Sequence, residues 1–205
     1  MYISEQYIEE GYLFSDKTIS IDLDKFESGE SNKLILIAMS GGGKTTLANY
    51  LSKKYNCIHQ EADSCFGQVL TKEEKKEMLF GSISKEKVNS NIVKMYNGCM
   101  KQLLLSKERA IIDGLYQQVY AILPESRKLI DSFPCIIIGT SALKSTYQRM
   151  IRANKKEKRT LNTNIKLLKL GINLNFNEIK QCISIFKKNR IKQNSNVQIF
   201  KIPEL

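Results

Sequence analysis

The stretch Lys33–Thr46, Lys-Leu-Ile-Leu-Ile-Ala-Met-Ser-Gly-Gly-Gly-Lys-Thr-Thr, constrains the fold more than any other part of the chain. Residues 33–38 form a nearly continuous apolar run, the pattern of a strand buried on both faces in a helix-covered parallel sheet. Three glycines follow, and then a helical pattern with Leu47, Leu51 and Tyr55 on one face. A strand, a glycine-rich turn and a helix in that order aim backbone N–H groups inward, at the positive end of a helix, and so build an anion cradle. The stretch matches G-x-x-x-x-G-K-[ST] except at the first glycine, which is Ala38 here. Alanine serves there if its φ stays below zero and its methyl group fits. The pattern assigns Ser40, Gly41, Gly42, Gly43, Lys44, Thr45 and Thr46 to phosphate binding. Lys44 would reach the β- and γ-phosphates, and the Thr45 hydroxyl would ligate Mg²⁺, a hard ion that prefers oxygen. The Gly-Lys-Thr ending predicts a triphosphate; a dinucleotide loop would read G-x-G-x-x-G, with an acid about twenty residues further on.

Around this core, strands and helices alternate. Cys57–Ala62, Arg109–Asp113, Cys135–Gly139 and Val197–Ile202 read as strands. Thr71 and Glu74 make a capping box that opens a helix. Val88, Ile92, Met95, Cys99 and Leu103 predict a long helix from about Lys85 to Leu105, and Pro124 is placed to open another. Leu143, Tyr147 and Ile151 mark the next helix, and Asn175 with Glu178 caps a last one. The alternation predicts a three-layer α/β sandwich with a mostly parallel five-stranded sheet. Thr18–Asp24 alternates with period two and reads as a further strand, able to pair antiparallel with 33–38 as a hairpin. The chain divides into an acidic extension, 1–32, and a main domain, 33–205.

The formal charge is +11, from 32 basic and 21 acidic residues, and it is segregated. Residues 1–30 carry a net −6, 31–140 a net +5, and 141–205 a net +12. A basic C-terminal third is drawn to phosphate, on a nucleotide or on nucleic acid, although a lysine-rich composition also accounts for much of it. No apolar run has the length of a membrane span, and Met1–Glu5 lacks the basic and apolar regions of a secretory signal, so a cytoplasmic protein with no membrane partner is expected. The five cysteines include no C-x-x-C pair, which predicts neither a disulfide framework nor a thiolate zinc site. The single histidine, His59, argues against His-rich zinc sites and Ser-His-Asp catalysis.

Four segments in order resemble the P-loop kinases of the nucleoside and nucleotide kinase-like group, which includes adenylate-kinase-like and polynucleotide-kinase-like proteins. They are the glycine loop; Ile111-Ile112-Asp113-Gly114, similar to the Walker B strand end; Glu61-Ala62-Asp63-Ser64-Cys65-Phe66; and Arg149-Met150-Ile151-Arg152. Leu115-Tyr116-Gln117 follows Asp113-Gly114 where adenylate kinases continue toward an arginine, so the chain departs from that branch. The resemblance implies a P-loop NTPase fold and ATP and Mg²⁺ as cofactors. It further implies Asp113 with Thr45 on the metal, Asp63 facing the phosphoryl acceptor, and Arg149 and Arg152 bordering a helical lid around 149–177. Arg127 and Arg159 are weaker candidates for the same work. Phosphoryl transfer needs positioning and charge neutralisation more than covalent chemistry, which suits this set. The expected activity is a kinase acting on a hydroxyl or phosphate of a small molecule, a nucleoside or nucleotide first. A polynucleotide 5′-hydroxyl kinase and a nucleotide-binding regulatory module are the alternatives. The identity of the acceptor and the oligomeric state are left open.

Overall fold

The structure is a computed structural model that describes residues 21–38, 43–80, 84–114, 116–139 and 199–201. It begins with helix α1 (Ile21–Glu27), strand β1 (Lys33–Ala38) and helix α2 (Lys44–Lys54). Strand β2 (Ile58–Glu61) runs through a 3-10 turn, Ala62–Ser64, into α3 (Cys65–Val69) and α4 (Lys72–Phe80). A continuous helical stretch follows: α5 (Lys85–Met95), a π turn (Tyr96–Met100) and α6 (Lys101–Leu105). Then come β3 (Ala110–Asp113), α7 (Tyr116–Ile122), α8 (Pro124–Asp131), β4 (Cys135–Gly139) and β5 (Ile199–Lys201).

The strands form one sheet in the order β2-β3-β1-β4-β5, with every neighbouring pair parallel. β1 lies at the centre, and all six of its residues are buried, as its apolar run requires. Its alternating side chains feed two cores. Ile35 and Ile37 join Ala110, Ile112, Met95, Met100, Tyr116 and Val119 on one face. Leu34, Leu36 and Ala38 join Ile111, Ile136, Leu47 and Leu51 on the other. Helices on both faces of a parallel sheet give the expected three-layer α/β architecture. Lys33 is wholly buried at the start of β1, and its ammonium donates to the Ser106 carbonyl at 2.9 Å and to the Glu108 carbonyl. Burial pushes its pKa down, while Glu108 pulls it back up.

The local signals explain most element boundaries. Thr71 and Glu74 close their capping box reciprocally, with Thr71 N–H on Glu74 Oε2 at 2.8 Å and Glu74 N–H on Thr71 Oγ1 at 3.2 Å. Ser84 caps α5 by accepting the Lys87 N–H at 3.3 Å. The helix expected from Lys85 to Leu105 is present, interrupted by its π turn. Pro124 opens α8.

Two expectations are corrected. The period-two pattern of Thr18–Asp24 predicted an antiparallel N-terminal strand, yet 21–24 belong to α1; residues 18–20 lie outside the described residues. The decisive spacing is Leu23 to Phe26, three apart, which puts both on one helical face and buries both in the second core. Arg109 fastens that helix: it donates to the Phe26 carbonyl at 2.6 Å and lies 4.5 Å above the Phe26 ring. The other correction concerns sulfur. Cys65, at the start of α3, and Cys99, in the π turn, are joined in a disulfide with Cα atoms 5.6 Å apart. Thirty-four residues separate them, so no short-range spacing announces the pair.

Candidate active site

The site sits at the C-terminal ends of β1, β2 and β3, where ligands bind in open α/β sheets. Met39–Gly42, which include Ser40, Gly41 and Gly42, lie outside the described residues, as do Arg149 and Arg152. The described part of the loop begins at Gly43, which caps α2 in the left-handed conformation at φ 85°. Ala38 ends β1 in extended backbone, 1% exposed and paired with Ile138, so the missing first glycine costs nothing at this position.

Lys44 and Thr45 form the first turn of α2, and Thr46 is half-buried behind them. The Thr45 hydroxyl donates to Asp113 Oδ2 at 2.8 Å. Asp113 ends β3 next to β1 and is only 1% exposed. These two oxygens form an all-oxygen set at the N-terminus of α2, which fits the preference of Mg²⁺.

Asp63 comes from the 3-10 turn after β2. The Lys44 ammonium lies 4.0 Å from Asp63 Oδ2, so the two candidate residues of opposite charge meet. Although 49% of the Asp63 side chain is open to solvent, the surrounding protein removes enough water to push its carboxyl above the ordinary carboxylate value. Lys44 pulls it back, and the negative charges of Asp113 and Glu61 push it further up. Gly114 permits this proximity. Its φ is +136°, and a Cβ there would lie 2.8 Å from Ala62 Cβ, 2.9 Å from Asp63 Oδ1 and 3.1 Å from Asp63 N. Only a residue without a side chain lets the end of β3 lie so close to the Asp63 turn.

Sequence reasoning missed a second set of contacts. His59 and Glu61, two apart on β2, share the sheet face of Asp113, because Glu61 is register-paired with Asp113. His59 Nδ1 lies 2.9 Å from Asn49 Oδ1, and Nε2 lies 3.4 Å from Asp113 Oδ1. Asn49 is four residues from Thr45, so one stripe of α2 holds both β2 and β3. The period-two placement of His59 and Glu61 and the Thr45–Asn49 spacing are in the sequence, but neither points to this contact until the strand register is known. Arg127 is held elsewhere: its guanidinium donates to the carbonyls of Tyr120 at 2.9 Å and Ala121 at 3.4 Å.

The described residues define a parallel three-layer α/β fold whose central strand is followed by a helix that starts at Gly43-Lys44-Thr45. No family model and no curated protein matches the chain. Similar solved structures include a shikimate kinase from Acinetobacter baumannii in complex with shikimate, at 12% identity and TM-score 0.46, covering 84% of this chain and 99% of that one. They also include a gluconokinase from Sinorhizobium meliloti 1021, at 10% identity and TM-score 0.43, covering 78% and 96%. A third is the PezAT toxin–antitoxin system of Streptococcus pneumoniae, at 18% identity and TM-score 0.49, covering 82% and 64%. At such identities the likeness concerns the fold. Among the described residues, no helix is long and apolar enough to cross a membrane.

Proposed function

We propose that this protein is an ATP- and Mg²⁺-dependent kinase that phosphorylates a hydroxyl or phosphate of a small molecule, with a nucleoside or nucleotide as the acceptor class. The observation that carries the reading is the 4.0 Å approach of Lys44 to Asp63 beside the Thr45–Asp113 contact. It supports a reading in which Lys44 binds phosphate, Thr45 and Asp113 hold the metal and Asp63 serves as the base. The glycine loop and Lys44 hold the triphosphate, with Lys44 on the transferring phosphoryl group. Thr45 and Asp113 would hold Mg²⁺, which would supply positive charge against the charge that develops on the phosphates. Asp63 takes the proton of the acceptor O–H as that oxygen forms its bond to the γ-phosphorus and the bond to the β-phosphate oxygen breaks, releasing ADP. The raised pKa of Asp63 makes it a stronger base than an ordinary carboxylate. Arg149 and Arg152, three apart in the sequence, are the candidates to supply guanidinium groups to the transition-state charge.

The test is transfer of label from γ-labelled ATP across nucleosides, nucleotides and sugars. Lys44→Ala is expected to lower transfer by about 10²–10³-fold, as loss of an oxyanion donor does. Asp63→Asn is expected to lower it by about 10²–10⁴-fold, as loss of a general base does. If no acceptor is labelled although ATP binds, the regulatory-module reading replaces the kinase. The net +12 of residues 141–205 favours a second reading, a polynucleotide 5′-hydroxyl as acceptor. That reading expects short oligonucleotides to bind with an affinity that falls steeply with salt; absence of binding at low salt removes it.

A further inference from the structure

We propose that His59, Glu61 and Asp113 form a binding site for a divalent transition-metal ion of borderline softness, such as Zn²⁺, Mn²⁺ or Co²⁺. The site shares Asp113 with the Thr45–Asp113 pair assigned to Mg²⁺: His59 faces Oδ1, whereas Thr45 contacts Oδ2. Among the described residues these three alone form a potential metal cluster, with one ligand atom from each within 4.8 Å of the others.

The argument starts at the imidazole. The 2.9 Å contact with Asn49 Oδ1 engages Nδ1 and leaves Nε2 turned toward Asp113. Nε2 is buried, makes no hydrogen bond, and faces Asp113 Oδ1 at 3.4 Å. A cation between this ring nitrogen and this carboxylate oxygen would satisfy both buried atoms. The separation matches such a cation. Bonds of ~2.0–2.2 Å to nitrogen and oxygen put neighbouring tetrahedral donors ~3.3–3.6 Å apart. Glu61, exposed at the rim and register-paired with Asp113, supplies the third donor, and a water or ligand atom can complete the shell.

The Asn49 contact adds a separate sign. Metal-binding histidines usually donate their remote N–H to an oxygen that fixes the ring, and Asn49 does this from α2. The donor set also selects the ion. An imidazole with two carboxylates suits Zn²⁺, Mn²⁺ or Co²⁺, whereas Mg²⁺ prefers oxygen alone. The single histidine of the sequence argued against histidine-rich zinc sites; it does not exclude a site of one histidine and two carboxylates.

His59 is the only histidine in the chain, so its ring resonances report on this site without ambiguity. The experiment titrates the untagged, nucleotide-free protein with Zn²⁺ and follows the His59 ring nitrogens by NMR. Co²⁺ absorption in the visible range gives a second readout. Zn²⁺ is expected to shift Nε2 at stoichiometric addition, and far more than Mg²⁺ does. Glu61→Gln is expected to weaken binding at least ~10-fold, and Asn49→Ala by ~10–100-fold. Circular dichroism of each variant separates lost binding from lost fold. An unmoved His59 overturns the proposal, as does a Zn²⁺ affinity unchanged in both His59→Gln and Glu61→Gln. A ring found doubly protonated and indifferent to metal also overturns it, in favour of a His59–Asp113 ion pair. Binding of Mg²⁺ and ATP, measured on the same samples, reports separately on the P-loop.

Discussion

Gly114 carries two constraints at once. Its φ of +136° lies where side chains are rarely tolerated, and a Cβ would strike Ala62 and Asp63. Gly114→Ala is therefore expected to cost about 1–3 kcal/mol from the backbone alone, with more from the displaced Asp63 turn. Urea unfolding measures the loss, and a shift of less than ~0.5 kcal/mol would contradict the packing described. The sequence showed Asp113-Gly114 as a strand end and a metal candidate. It did not show that Gly114 lets Asp63 approach, because the neighbour arrives from a strand some fifty residues earlier in the chain. Lys44, Thr45 and Asp113 were legible because their chemistry follows from local pattern: a strand, a turn and a helix start. His59 and Asn49 were not, since a lone histidine has no spacing to interpret until parallel register sets it beside Asp113.

Element boundaries were legible where the signal is local. The capping box before α4 holds through side chain and backbone together, and Thr71→Ala is expected to cost ~0.5–2 kcal/mol. The Thr71 backbone N–H, and then Lys94, pull the Glu74 carboxyl below its ordinary value. A carboxyl depressed in the folded state stabilises above its unfolded pKa, and that contribution is lost as pH falls through the folded pKa. The difference between wild type and Glu74→Gln should thus be present at neutral pH and vanish in acid, which unfolding curves at several pH values check. Elements set by distant contacts were harder to read. Ile19, Ile21 and Leu23 alternate like a strand, but the neighbouring sheet takes up Leu23 and Phe26 as a helical pair. Cys65 and Cys99 meet only because the exit from β2 packs beside the π turn. Closing a loop of that separation contributes about 3–4 kcal/mol by constraining the unfolded chain. Without reductant, Cys57 and Cys135 should then react with a thiol reagent in denaturant, while Cys65 and Cys99 do not. All five reacting would mean that the pair is not formed.

At the scale of the whole molecule, β1 shares both cores and ends at the phosphate loop, so anything that grips the loop is coupled to the entire sheet. A ligand bound only by the folded state stabilises it by about 2.7 kcal/mol at a hundredfold excess over its Kd. For a domain of this size that is a rise in Tm of about 5–10 °C. Mg²⁺ with a non-hydrolysable ATP analogue is therefore expected to raise Tm by that amount in the wild type and not in Lys44→Ala. The net +11 charge offers a competing explanation, because any polyanion is attracted to a basic protein. The two explanations separate with salt. Attraction to diffuse surface charge is screened over about 8 Å at physiological ionic strength and should fade as salt rises. Backbone N–H groups at a helix start act at contact distance and keep most of their effect. A shift that survives high salt, requires the triphosphate and disappears with Lys44 assigns the stabilisation to the loop. An equal shift from sulfate or from an arbitrary oligonucleotide assigns it to the charge of the basic C-terminal third, and the P-loop reading then loses its thermodynamic support.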